Sequence, residues 1–139
     1  KELNRKTDPV FFELAPKLLE EMLNEETVDT NWKSTVQSRV NGLIDDESIS
    51  GSELREVDCR TSLCKLKVEL PPSVNSRDFS KLWRGIGQPS FGHDFLTPVV
   101  LGDGSTEVTV YFTKIQGGFE TFMRLRERMA QIVDQNQPV

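Results

Sequence analysis

The residues best suited to chemistry are the two cysteines, Cys59 and Cys64, which have four residues between them. Two cysteines this close can form a disulfide that stabilises the fold, or they can exchange electrons with other thiols. Exchange proteins usually hold a thiolate at a helix N-terminus, with about two residues between the cysteines. Here the spacing is longer and the flanking residues have strand character. The pattern favours a structural disulfide, and a thiol-disulfide redox protein is the alternative.

Alternating apolar and polar residues on both sides of the cysteines predict a β-hairpin. Pairing Cys59 with Cys64 leaves residues 60–63 as a four-residue loop, which is a common hairpin length. A shift of one residue would turn every side chain to the other face, so the register is well specified and predicts the disulfide. The same register makes three further pairs of matching character, namely Val57–Leu66, Asp58–Lys65 and Glu56–Lys67.

Other combinations that could be catalytic are incomplete. His93 is the only histidine and lies close to Ser90 and Asp94, but the sequence has no nucleophile elbow, and adjacent loop residues seldom point at one another. A small hydrolase is therefore the weakest alternative. A zinc site needs about four ligands, which two cysteines and a distant histidine do not supply. The acidic run 45–47 could hold a divalent cation, although such a run is more typical of a solvated turn. We predict no catalytic residues, no metal and no cofactor.

Two loops contain candidate partner-binding residues. Residues 87–95 form a glycine-containing loop that carries Phe91, His93 and Phe95, and Arg60 lies in the hairpin loop. Loops presented by a rigid scaffold often carry function, so we predict that these four residues contact a partner. The alternatives are that the aromatic side chains pack beneath the domain, and that Arg60 makes only hydrogen bonds within its turn.

Apolar residues at helical spacing predict helices near residues 8–24, 31–46, 77–85 and 119–133, and alternation predicts strands near 96–101 and 107–112. Pro98 suggests that the first of these strands is an edge strand or that the proline marks its start. The order of elements predicts an α+β fold, with a four-stranded antiparallel sheet of two hairpins and helices packed on one face. We expect a single domain over residues 8–135, with a flexible lead-in at 1–7 and a tail at 136–139.

Charge and hydropathy exclude several classes of partner. The net charge is −5, with acidic and basic residues interspersed, so no basic field indicates binding to nucleic acid. No apolar run is long enough to span a membrane. A disulfide persists in oxidising compartments, and the predicted bond therefore favours an exported protein.

Residues 57–66 read Val-Asp-Cys-Arg-Thr-Ser-Leu-Cys-Lys-Leu, and the helix before them carries Trp32. This combination resembles an uncharacterised family of exported bacterial proteins, frequent in myxobacteria and related deltaproteobacteria, that share a Cys-Arg-(Ser/Thr)-x-x-Cys hairpin. Many of them are lipoproteins. The resemblance implies export to the periplasm or outer envelope, a disulfide, and a lipid anchor upstream of this stretch. Together with the missing catalytic set, it leads us to expect a non-catalytic domain that binds another envelope protein.

Overall fold

The computed structural model describes residues 2–87, 91–114 and 117–136. Helices and strands follow one another in the predicted order, which confirms the α+β class. A short 3₁₀ turn at Glu47–Ile49 joins the second helix to the first strand. The elements are α1 (Glu2–Glu25), α2 (Thr30–Ile44), β1 (Glu53–Cys59), β2 (Leu63–Leu70), α3 (Ser76–Gly87), β3 (Phe91–Val100), β4 (Thr106–Lys114) and α4 (Gly118–Asn136).

The four strands form one antiparallel sheet in the order β1-β2-β4-β3. The register of the first hairpin is the predicted one, with Cys59 opposite Cys64 and the three further pairs aligned as expected. The connection is one residue shorter than predicted, because Leu63 belongs to β2 and its carbonyl accepts a hydrogen bond from the Arg60 N–H at 2.9 Å. Pro98 lies in β3, which is an edge strand, as the presence of a proline suggested.

One face of the sheet, here called the inner face, carries the apolar side of β2 and is covered by α2 and α3. Apolar residues spaced three and four apart on each helix point at the strands, which is why these segments are helical in this setting. The rings of Trp83 and Phe112 meet edge to face, with centroids 4.9 Å apart. The buried core on this face includes Val36, Val40, Leu43, Phe79 and Trp83 from the helices and Leu66, Val68, Val108, Val110 and Phe112 from the sheet.

We predicted helices on one face of the sheet, and α2 and α3 lie on one face together. Helices α1 and α4, however, pack together on the opposite, outer face. Lys65, Lys67 and Glu69 make that face look polar along β2. At one end of it, however, Leu63, Phe95 and Tyr111 from three different strands form an apolar patch. This patch, assembled only by strand pairing, gives the apolar stripes of α1 and α4 a surface to bury.

Element boundaries differ from the predictions at two places. Helix α1 begins at Glu2 and not near residue 8, so the predicted lead-in 1–7 is helical from residue 2. Strand β3 begins at Phe91 inside the segment predicted as a loop. Its pairing with β4 carries a bulge between Phe91 and Asp94, which places one extra residue in β3 and hides the alternation.

Candidate functional site

The two cysteines form the predicted disulfide, and both residues are completely buried. Their Cα atoms are 4.0 Å apart at the end of the β1–β2 pair, on the inner face. Thiol exchange requires an external thiolate to reach one of the sulfur atoms, and complete burial prevents that approach in the folded state. Both cysteines lie on strands, and neither is in the first turn of a helix, the position at which exchange proteins usually hold their thiolate.

Glu26 anchors the hairpin loop to the segment between α1 and α2. Its carboxylate accepts hydrogen bonds from the backbone N–H of Ser62 at 2.8 Å and of Leu63 at 3.1 Å, and also from the Ser62 hydroxyl. Only 11% of the Glu26 side chain is exposed, and Arg124 of α4 lies 3.5 Å away. The loop that encloses the disulfide is therefore held by both neighbouring helices.

Arg60, predicted as a partner-binding residue, is used within the molecule. Its guanidinium makes a two-pronged contact with Asp58, at 2.7 and 3.0 Å, and donates to the Glu26 carbonyl at 2.9 Å. The hydrogen bond from Arg60 holds the pKa of Asp58 below its usual value. Arg60 therefore makes hydrogen bonds close to its own turn, as the alternative prediction had it, and it also binds the α1–α2 connection.

A second polar cluster lies between α1 and the outer face. The Glu20 carboxylate accepts hydrogen bonds from the Lys65 ammonium and the Tyr111 hydroxyl, both at 2.7 Å. Partial burial acts to raise the pKa of Glu20, but the bonds from Lys65 and Tyr111 outweigh it and the net shift is downward. Burial together with the bond to Glu20 raises the pKa of Tyr111. Tyr111 is thus held as a neutral donor, which suits a structural tie and not a general base.

The other three predicted partner-binding residues, Phe91, His93 and Phe95, belong to β3, not to a loop. The side chains of Phe91 and His93 lie outside the described part of the structure. Phe95 packs against the α1–α4 layer beside a cavity of about 60 Å³. The aromatic side chain therefore packs beneath the domain, which was the stated alternative, and the cavity is much smaller than a ligand pocket, typically about 300 Å³ or more.

The hydrolase alternative finds no support in the described residues. Ser90 lies outside them, as does the His93 side chain. The Asp94 carboxylate accepts a hydrogen bond from the Trp83 indole N–H at 2.8 Å, across the inner face.

The acidic run 45–47 forms a turn. The Asp46 carboxylate accepts hydrogen bonds from the backbone N–H and the hydroxyl of Ser48, at 2.9 and 2.8 Å, and so starts the 3₁₀ turn. Among the described residues, no three histidine, cysteine, aspartate or glutamate side chains are grouped as metal ligands. In the same part of the chain, no helix is long and apolar enough to cross a membrane.

Several contacts at the hairpin end were not predictable from local sequence. Lys114 lies 4.8 Å from the centroid of the Trp32 ring and 2.9 Å from the Asp29 carboxylate, which also caps α2 through the Trp32 N–H. Phe119, the first residue of the helix predicted over 119–133, is 66% exposed, and Met123 one turn later is 39% exposed. The position of Phe119 could have indicated this exposure, because the residue lies in the first turn of its helix, at the edge of the covered patch.

Comparison with known proteins gives no identification: no family model, no curated protein and no solved structure matches the chain. The functional interpretation therefore depends on the geometry of the described residues.

Proposed function

We propose that this chain is a non-catalytic, exported domain that acts by binding another protein of the cell envelope. The observation that carries the proposal is the complete burial of the Cys59–Cys64 disulfide in the core. A buried disulfide on paired strands supports a structural role, and a structural disulfide in turn supports folding in an oxidising compartment.

Charged side chains around the hairpin form hydrogen bonds and ion pairs with other groups of the fold, which also supports a binding role. Glu26, Arg60 and Lys65 each hold two or more parts of the fold together through hydrogen bonds or ion pairs. None of the three lines the cavity beside Phe95. The described surface instead offers exposed apolar side chains, including Val100 at 73% and Phe119 at 66%. Exposed apolar side chains are a common feature of contact surfaces.

The proposal is tested by photocrosslinking in the native host. A benzophenone amino acid is introduced singly at Val100, at Met123 and at Val28, all of which are exposed. Glu47, exposed on the 3₁₀ turn, provides a matched control position. We expect a partner from the envelope, identified by mass spectrometry, at some of these positions and not at Glu47. A binding role would be ruled out if none of the positions gave an adduct with another protein.

The thiol-disulfide alternative makes a different prediction. It requires that the folded protein exchange its disulfide with small thiols, and burial of both cysteines opposes this. The same native protein can be incubated with reduced glutathione and a thiol-alkylating reagent. Rapid alkylation without unfolding would favour the redox function over the binding function.

A further inference from the structure

The two edges of the sheet differ in how they are protected. At the β1 edge, the Asp29 N–H donates to the Cys59 carbonyl at 2.9 Å, Val28 bridges to Arg60, and a bulge interrupts the strand between Leu54 and Glu56. Bulges and covering segments are the usual devices that stop an edge strand from pairing with another chain. β3 has two such devices of its own, Pro98 and the bulge between Phe91 and Asp94, but among the described residues no segment pairs with its outer side.

The backbone groups that β3 leaves unpaired can be assigned by alternation. The Leu101 N–H donates to the Ser105 carbonyl at 2.8 Å, so residue 101 faces β4. Successive residues of a strand direct their N–H and C=O groups to opposite sides. Leu96, Pro98 and Val100 therefore direct their backbone groups away from the sheet. Pro98 lacks a backbone N–H, but because it faces away from β4 this removes no hydrogen bond from the sheet. The outer side of β3 therefore presents the N–H groups of Leu96 and Val100.

A cleft of about 230 Å³ lies between α3 and this edge, lined by Ser80, Trp83, Arg84, Asp94 and Leu96. On the helical wall, Ser80 and Arg84 are four residues apart, and Arg77 lies three residues before Ser80 on the same side of α3. The hydrogen bond between Trp83 and Asp94 places Arg84 near the start of β3, and Arg77 lies two helical turns earlier on α3, outside the cleft lining.

Two arginines lie along this side of α3, and one of them, Arg84, lines the cleft. Arg77 and Arg84 are exposed, and within the described part of the chain neither has a carboxylate within 4.0 Å. The one carboxylate in the lining, Asp94, lies at the end near Arg84 and is bonded to Trp83. Elsewhere in the described chain, arginines such as Arg60 and Arg128 are paired with carboxylates at 2.6 to 2.7 Å. Among the described residues, this side of α3 therefore presents two arginines without a carboxylate partner beside the edge strand β3, and Asp94 offsets part of their charge.

We propose that the edge of β3 binds an extended acidic segment of the partner protein, which adds to the sheet as a fifth strand. In this mode the main chain supplies affinity and alternate side chains supply specificity. Every second side chain of the added strand would point to the inner side, under α3. Acidic residues at these positions would pair with Arg84 and Arg77, and apolar residues at the others would extend the surface of Val99, which is 52% exposed. This inference rests on the proposed binding function and names the surface and the chemistry of the partner.

The test uses the whole domain and a labelled peptide of about ten residues that alternates glutamate and valine. Binding is followed by fluorescence anisotropy, with a peptide alternating lysine and valine as the charge control. We expect saturable binding of the acidic peptide only. The double variant Arg77→Glu/Arg84→Glu should weaken it by about tenfold or more. The double variant Lys17→Glu/Lys33→Glu makes the same change of charge at exposed positions of α1 and α2 and should weaken binding by less than about threefold.

The location is tested on the unmodified protein by amide hydrogen exchange. The N–H groups of Leu96 and Val100 should become protected when the acidic peptide is added, whereas that of Val99, which faces β4, should change little. Protection that rises with protein concentration in the absence of peptide would assign the edge to a second copy of the chain and overturn the proposal. Equal binding of both peptides, or equal effects of the arginine and lysine double variants, would also overturn it.

Failure of this inference can be told apart from failure of the proposed function. If the peptide does not bind but photocrosslinking recovers a partner through Val28 or Met123, the binding function stands and the β3 site is wrong. If neither experiment detects an interaction, both proposals are wrong.

Discussion

The anchoring of the hairpin loop by Glu26 leads to a prediction with a worked magnitude. Replacing Glu26 by alanine removes the acceptor for the Ser62 and Leu63 N–H groups, which bond to the same carboxylate oxygen at 2.8 and 3.1 Å. A donor left without a partner costs about 1–3 kcal/mol. Two such donors, with partial access to water, give an expected loss of about 3 kcal/mol. For a domain of this size the melting temperature should fall by roughly 10 °C.

The glutamine variant separates hydrogen bonding from charge. In Glu26→Gln the amide oxygen can take the position of the oxygen that accepts both backbone bonds, and the amide nitrogen faces the Ser62 hydroxyl. The loss should therefore be about 1 kcal/mol, from the change of a charged to a neutral acceptor. Glu13→Ala, at an exposed position of α1, is the matched control and should change the unfolding free energy by less than about 0.5 kcal/mol.

The assay is urea unfolding at neutral pH, followed by circular dichroism and by tryptophan fluorescence. Coincident transitions would justify a two-state free energy for each variant. The reasoning is refuted if Glu26→Ala loses less than about 1 kcal/mol, or if the glutamine variant loses as much as the alanine variant. In either case the loop is not held by the hydrogen bonds described here.

Three further predictions concern the same region. Changing Cys59 and Cys64 together to alanine should lower the unfolding free energy by about 2 kcal/mol, the amount for so short a loop; urea unfolding that shows no loss would contradict this. The pKa of Glu20 is lower in the folded chain, so its contribution is complete above about pH 5 and is lost as the pH falls through the folded pKa. Glu20→Gln should therefore flatten the decrease in stability between about pH 5 and pH 3, and a slope equal to that of the unmodified protein would contradict the assignment. Arg60→Lys removes the two-pronged contact and should raise the pKa of Asp58 toward its ordinary value, as measured by NMR titration; an unchanged pKa would show that Arg60 does not set it.

The first hairpin was predictable in detail because its information is local. The alternation around Cys59 and Cys64, the opposite charges and the short loop all require the same register, and the structure has that register. Pro98 identified an edge strand for a similar reason, since a residue without an N–H is restricted to few positions in a sheet.

The second layer of helices could not be predicted because its binding surface is assembled from distant segments. Leu63, Phe95 and Tyr111 come from three strands and become neighbours only through the strand order. On the outer face of its own strand, each of them has polar neighbours two residues away, so no single strand indicates an apolar patch. The tie from Glu20 to Lys65 and Tyr111 has the same origin, because it joins residues 45 and 91 positions apart.

The roles of the candidate site residues were only partly predictable. The disulfide followed from register, but the use of Arg60 inside the fold depends on where the α1–α2 connection passes, and sequence spacing does not determine that path. The outer side of β3, which no described segment covers, likewise became visible only once the strand order was known.

The reduction potential of the Cys59–Cys64 disulfide in the folded protein is the measurement that tests most directly whether this is a structural rather than a redox domain. The protein is equilibrated in thiol buffers of graded potential, quenched with an alkylating reagent and analysed by intact mass. Because both cysteines are completely buried, we predict that the bond is reduced only below about −300 mV, as structural disulfides are. Reduction in the native state between about −270 and −120 mV, where thiol-exchange proteins operate, would contradict the account and make the hairpin an active site.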